Sequence, residues 1–284
     1  MYHRIEAAAS PSTYLGADRA SIGDRLARLT SSVEGMLSFL AQHDSQKAIH
    51  DIRVAARRLR VALRNLKRKL PRRERRRCMK ALLEITNSCR AARDADVRQH
   101  LVEIWLSRAG LEDHEQGQLL LAMAVQDTEA ARHELRRRMN APKWSHVLWN
   151  FRQSAAALVV DDSSDDGFLR DVLSHQRRRL RRGLRKQRNT RKPRRLHRLR
   201  LRIKDARYFV EDFGPLAGAA VEGELTKLRE LQNALGDFHD EWCLRKWLRK
   251  QYKCYLATGA IRELLKVNER KLLKRIRRLG KKAV

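Results

Sequence analysis

Apolar residues recur at helical spacing through almost the whole chain. Ile52, Ala56, Leu59, Leu63 and Leu66 follow one another in steps of three and four, and so do Leu199, Ile203, Ala206, Val210 and Phe213. Such steps keep side chains on one side of a 3.6-residue turn. No alternating apolar and polar segment of useful length suggests a strand. The pattern predicts an all-α chain with helices over 21–43, 45–69, 71–108, 110–139, 143–160, 168–189, 193–213, 218–250 and 255–279. Pro71, Pro142 and Pro193 suit first-turn positions, where a missing N–H costs nothing. Gly110 and Gly280 suit C-terminal caps, and Gly214-Pro215 should stop a helix outright.

Two segments fall outside the periodicity. Residues 1–20 hold Ser10, Pro11, Ser12 and Gly16 without a clear repeat and read as a flexible N-terminal arm. Residues 161–167, Asp161-Asp162-Ser163-Ser164-Asp165-Asp166-Gly167, are acidic and polar and read as a linker. The linker separates a first half, 21–160, from a second, 168–284, and each half is expected to be a helical bundle.

The halves share two elements in the same order. His50-Asp51-Ile52-Arg53-Val54-Ala55-Ala56-Arg57-Arg58-Leu59-Arg60 has its match in His197-Arg198-Leu199-Arg200-Leu201-Arg202-Ile203-Lys204-Asp205-Ala206-Arg207. Both place a histidine first and basic residues three, seven and ten positions on. Downstream, Asn87 corresponds to Asn233 and Asp94 to Asp240, at nearly the same offset. Two matched elements in one order point to internal duplication. On a helix, His50, Arg53, Arg57, Arg60 and Arg64 share one face, and His197, Arg200, Lys204 and Arg207 share another. Each helix therefore has an apolar stripe for a core and a separate basic row.

Charge changes what these rows mean. The chain of 284 residues has 64 Lys+Arg against 33 Asp+Glu, a formal net charge of +31. So large an excess is self-repelling and points to a polyanionic partner: DNA, RNA, anionic lipid or inorganic polyphosphate. A solvated helix face normally mixes signs. Between Arg53 and Arg77 the only acid is Glu74, and between Arg177 and Arg207 it is Asp205. Acids gather instead between Glu103 and Glu134, as expected of outer walls. The four cysteines, Cys78, Cys89, Cys243 and Cys254, form no C-x-x-C and have no histidine at zinc-ligand spacing. They read as reduced thiols, with no metal and no cofactor expected. No stretch approaches the 18 apolar residues of a membrane span, and residues 1–20 lack a signal-peptide apolar run, so a cytoplasmic chain is expected.

The two histidine-led motifs and Arg93-Asp94-Ala95-Asp96-Val97 together resemble the CHAD domain, the conserved histidine α-helical domain, over nearly all of residues 21–280. The resemblance implies two similar antiparallel helical bundles related by an internal pseudo-twofold, with a basic groove or pore between them. It implies binding of inorganic polyphosphate and location at polyphosphate granules. The phosphate-facing set it implies is His50, Arg53, Arg57, Arg60, His197, Arg200, Lys204 and Arg207, with Arg64 and Tyr208 as extensions. The second copy departs from the first with His239 in place of Arg93 and Glu211 in place of Arg64, which suggests an asymmetric site.

Three other readings stand beside this one. A nucleic-acid binder shares the charge, and weak nonspecific affinity for nucleic acid is expected in any case. No aromatic residue lies between Phe39 and Trp105 to stack on bases, and only Asn65 offers groove-reading chemistry near the first row. A metal-dependent phosphohydrolase could use His50-Asp51 and His239-Asp240. Adjacent helical residues diverge by about 100°, however, and the arginines would repel a divalent cation. The Lys- and Arg-rich tail, Lys266 to Lys282, could lie on an anionic membrane. Trp144, Trp149, Trp242 and Trp247 are expected to be core anchors.

Overall fold

A computed structural model describes residues 21–43, 45–160, 167–187, 190–218 and 220–282. The expected arm, 1–20, and residues 161–166 of the expected linker lie outside the described residues. The described residues are all-helical, as the periodicity predicts. The helices are α1 (Ile22–Gln42), α2 (Gln46–Asn65), α3 (Arg72–Ser88), α4 (Arg90–Ala109), α5 (Glu115–Met139), α6 (Pro142–Ala156), α7 (Phe168–Gln187), α8 (Pro193–Phe213), α9 (Glu222–Leu248) and α10 (Tyr255–Lys282).

Local chemistry sets the ends. Ser45 caps α2 by accepting from the Ala48 N–H at 3.2 Å. Gly110 closes α4 in the left-handed conformation at φ 63°. Pro142 and Pro193 open α6 and α8 as expected. Gly214 ends α8 and cannot be replaced without movement, since a Cβ there would lie 2.5 Å from both Val210 O and Val221 Cγ1.

Three expectations need correction. Pro71 stands just before α3 rather than in its first turn. Gly280 is no cap, because α10 continues to Lys282. The single helix expected over 71–108 is two, α3 and α4, divided at Cys89. Neither proline nor glycine marks that break. The hydroxyls of Thr86 and Ser88 bond back to the Leu82 and Glu84 carbonyls, both at 3.0 Å, which bends helices locally. From α2, Arg53 Nη1 donates to Thr86 O at 2.8 Å, the acceptor that Arg90 N–H would use in a continuous helix.

The described chain forms two compact units that differ from the sequential halves 21–160 and 168–284. One unit holds α7, α8, α9 up to His239, α10 from Glu269 and the start of α1 to Arg25. The other holds the rest of α1, α2 to α6, α9 from Asp240 and α10 up to Asn268. The physical reason is helix length: α9 has 27 residues and α10 has 28, so each contributes to both units. Periodicity reports which face of a helix is buried but not which stretch of it packs where.

The α7–α8 unit has a core of Leu180 and Leu184 from α7, Leu199 and Ile203 from α8, Leu231 and Phe238 from α9, and Ile276 from α10, among others. Arg25 is tied in by donating from Nε to Asp212 O at 2.8 Å. In the other unit α3 packs on α6 and α2, and α4 on α5. Ile49, Ile52, Ala56, Leu59 and Leu63 of α2 are fully buried there, along with Phe151 of α6. The stripe predicted from the sequence is thus the core side of α2, and the basic row lies off it. Burying each large side chain contributes about 1.5–3 kcal/mol.

Candidate functional site

The first row lies on α2. Its apolar stripe fixes the helix rotation, so His50, Arg53, Arg57 and Arg60 come to lie half-buried beside the core, and Arg64 is exposed at the helix end. Arg53 is the most engaged. Besides holding Thr86 O, it interacts with Asp94 of α4. Burial pushes its guanidinium below the usual arginine value, Asp94 acts in the opposite direction, and Arg57 and Arg90 push it down further. Asp94 also interacts with Arg90, Arg98 and Arg93, so one carboxylate faces four guanidinium groups. Its neighbour Asp96 is used differently. It is buried and receives Arg132 Nη2 from α5 at 2.8 Å. Asp51 turns away from the row and pairs with Lys47 at 2.5 Å.

The second row lies on α8. His197, Arg200 and Lys204 are half-buried, matching His50, Arg53 and Arg57. Arg200 Nε is shut off from solvent with no hydrogen-bond partner. His197 meets a residue that the motif alone did not assign to the site. Its Nδ1 lies 3.3 Å from Nδ1 of His239 on α9, with ring centroids 4.4 Å apart. The signal was present in the sequence, because His239 occupies the repeat position of Arg93. The second copy therefore carries a histidine pair where the first has a histidine and an arginine.

Two expected row members have other surroundings. Tyr208 is 2% exposed and belongs to the core, so its ring is not a surface contact. Arg207 stacks over that ring with its Cζ 4.5 Å from the centroid. Its Nε donates to Gln232 Oε1 at 2.8 Å and its Nη1 to Glu211 Oε1 at 2.7 Å. Glu211 also receives Arg229 Nη2 at 3.0 Å. The substitution of an acid for Arg64 thus turns the end of the second row inward.

The tryptophans divide. Trp144 is buried as expected, whereas Trp149 is 54% exposed. Trp242 and Trp247 are half-buried and carry Lys246 and Arg98 over their rings. Cys78, Cys89 and Cys254 are buried, and Cys243 is exposed. Among the described residues, no group of three or more His, Cys, Asp or Glu side chains is placed to hold a metal ion. Among the same residues, no helix is long and apolar enough to cross a membrane.

Comparison with known proteins agrees with this architecture. The model of the CHAD domain family matches residues 20–249. No curated protein matches the chain. Among solved structures, the CHAD domain from the plant Ricinus communis is similar, with a TM-score of 0.72 and 21% identity over 96% of each chain. PptA from Streptomyces chartreusis is similar too, with a TM-score of 0.71 and 16% identity over 93% of this chain and 99% of that one. At such identities the solved structures establish the fold, and the family match supplies the relationship. The chain belongs to the CHAD domain family.

Proposed function

We propose that the chain binds inorganic polyphosphate without chemical turnover, using the basic rows of α2 and α8. The observation that carries this reading is the situation of Arg57 and Arg200. Each sits in a histidine-led repeat, each is half-buried, and neither has a carboxylate partner among the described residues. A partly desolvated guanidinium without an anion is costly, and a phosphate supplies the missing charge. The resemblance to polyphosphate-binding members of the family selects this polyanion over others, and polyphosphate granules are the location it suggests.

The physics is that of a positioned row rather than a pocket. A guanidinium can give two parallel hydrogen bonds to one phosphate, and Lys204 adds a point charge. One helical turn advances about 5.4 Å, so a row presents successive donors along an extended polymer. Release of condensed counterions favours binding and makes it weaken as salt rises.

The test is a titration with long-chain polyphosphate and with duplex DNA, at low and physiological salt. The Arg57→Ala/Arg200→Ala/Lys204→Ala variant runs beside the wild type, with circular dichroism as the folding control. The expected result is a clear preference for polyphosphate that the folded variant loses. Equal competition by DNA, with little change in the variant, would overturn the reading.

A further inference from the structure

Helix α7 carries an arginine set that neither repeat motif contains. Its apolar residues Leu169, Leu173, Leu180 and Leu184 are buried, and the last two belong to the core of the α7–α8 unit. Arg178, Arg181, Arg182 and Arg185 follow the spacing i, i+3, i+4, i+7 and lie on the side of the helix away from these leucines. All four are exposed, and together they line one surface concavity.

What groups them is a shared concavity with no counter-charge against it. Among the described residues, none of the four has a hydrogen bond, an ion pair or an aromatic ring to rest on. The same unit pairs its arginines where they brace the fold. Arg177, immediately before Arg178 on α7, reaches Glu224 of α9 through Nε and Nη2 at 3.0 and 2.7 Å, and Arg207 reaches Glu211. Like charges at i, i+4 repel, and this face has two such pairs, 178 with 182 and 181 with 185. Asp171 lies on this side two turns earlier, and from Arg178 to Arg185 the face has four exposed arginines and no acid, which fits a polyanion better than it fits water alone.

We propose that this face of α7 is an accessory polyphosphate track, distinct from the row on α8. The assignment rests on the proposed function above. Its residues differ from the row in kind. The α8 cations are half-buried, and the α7 arginines are open to solvent and span about 10 Å along the helix. They suit a contact with the backbone of a long chain through charge and arginine forks, with no demand on a buried cavity.

The experiment compares wild type, an Arg178→Gln/Arg181→Gln/Arg182→Gln/Arg185→Gln variant, and a charge-matched control, Arg262→Gln/Arg270→Gln/Lys271→Gln/Lys274→Gln, which removes four exposed cations from α10. Each is titrated with long-chain polyphosphate and with duplex DNA over a salt series. The expected result is an affinity for polyphosphate about tenfold lower in the α7 variant, a log K against log salt slope shallower by roughly 2 to 3, and little change in the control. An α7 variant that matches wild type overturns the track and leaves the proposed function standing. A control weakened as much as the α7 variant also overturns it, since net charge alone would then explain the loss. Loss of DNA binding with polyphosphate binding intact assigns the face to nucleic acid instead. A wild type that does not bind polyphosphate removes both proposals.

Discussion

Arg53 donates from Nη1 to the carbonyl oxygen of Thr86 at 2.8 Å, and so links the first basic row to the break between α3 and α4. One guanidinium therefore carries two loads. It holds a carbonyl at a helix end, and it stands among Arg57, Arg90 and Asp94. Arg53→Ala is expected to lower stability by about 1–2 kcal/mol, because a charged donor to a partly buried carbonyl is lost. Arg57→Ala should leave stability unchanged or slightly raised while weakening polyphosphate binding. Urea denaturation of the two variants checks the contrast, and an equal loss in both would show that Arg53 has no special role in the break.

Arg207 presents the opposite case. Its side chain is 13% exposed and sits among Glu211, Gln232 and the ring of Tyr208. Removing it takes one guanidinium from the Glu211 carboxylate, which is 11% exposed and also pairs with Arg229. Arg207→Ala is expected to cost roughly 2–4 kcal/mol of stability, the range for breaking a mostly buried pair. The fraction that folds should bind polyphosphate nearly as wild type does. A binding loss as large as that of Arg200→Ala, with unchanged stability, would return Arg207 to the row.

The contrast between Arg53 and Arg207 shows where the sequence was legible. Helix positions, the apolar stripes of α2 and α8 and the two basic rows all follow from periodicity, because burial of one face needs nothing beyond the chain's own spacing. The break at Cys89 did not, since it depends on Thr86 meeting an arginine more than thirty residues away. Tyr208 lies next to Arg207 in the motif and carries that guanidinium over its ring, but it is buried, and only the packing of α8 places it inside. The grouping of α9 and α10 with both units was likewise hidden, because a helix reads the same whichever stretch of it packs. His239 could have been found from its repeat position opposite Arg93.

The cysteines give a chemical check on the packing. Burial pushes the Cys78 thiol up to about 12 and the Cys89 thiol up to about 11. Both stay protonated near neutral pH, and the thiolate is the form that reacts. In the native protein a thiol reagent at pH 8 is expected to modify Cys243 quickly and the other three only on unfolding. The sign of the pH effect follows from the raised values. Any stability from keeping these thiols neutral is fully present below about pH 9, the ordinary value, and is lost as pH rises through 11 to 12. A second fast thiol in the folded protein would contradict the burial of at least one of Cys78, Cys89 and Cys254.

His197 and His239 bring Nδ1 atoms within 3.3 Å, so one neutral ring can accept from the other, whereas two charged rings would repel. A phosphate beside the pair removes that repulsion and favours protonation. Binding should therefore take up protons and tighten as pH falls from 8 to 6. Calorimetry in buffers of different ionisation enthalpy measures the uptake directly. His239→Gln keeps a hydrogen-bonding side chain but cannot be protonated, and it should flatten the pH dependence while leaving affinity at pH 8 within about twofold. Equal affinity at pH 6 and pH 8 in the wild type would mean that the pair only braces α8 against α9 and does not sense the ligand.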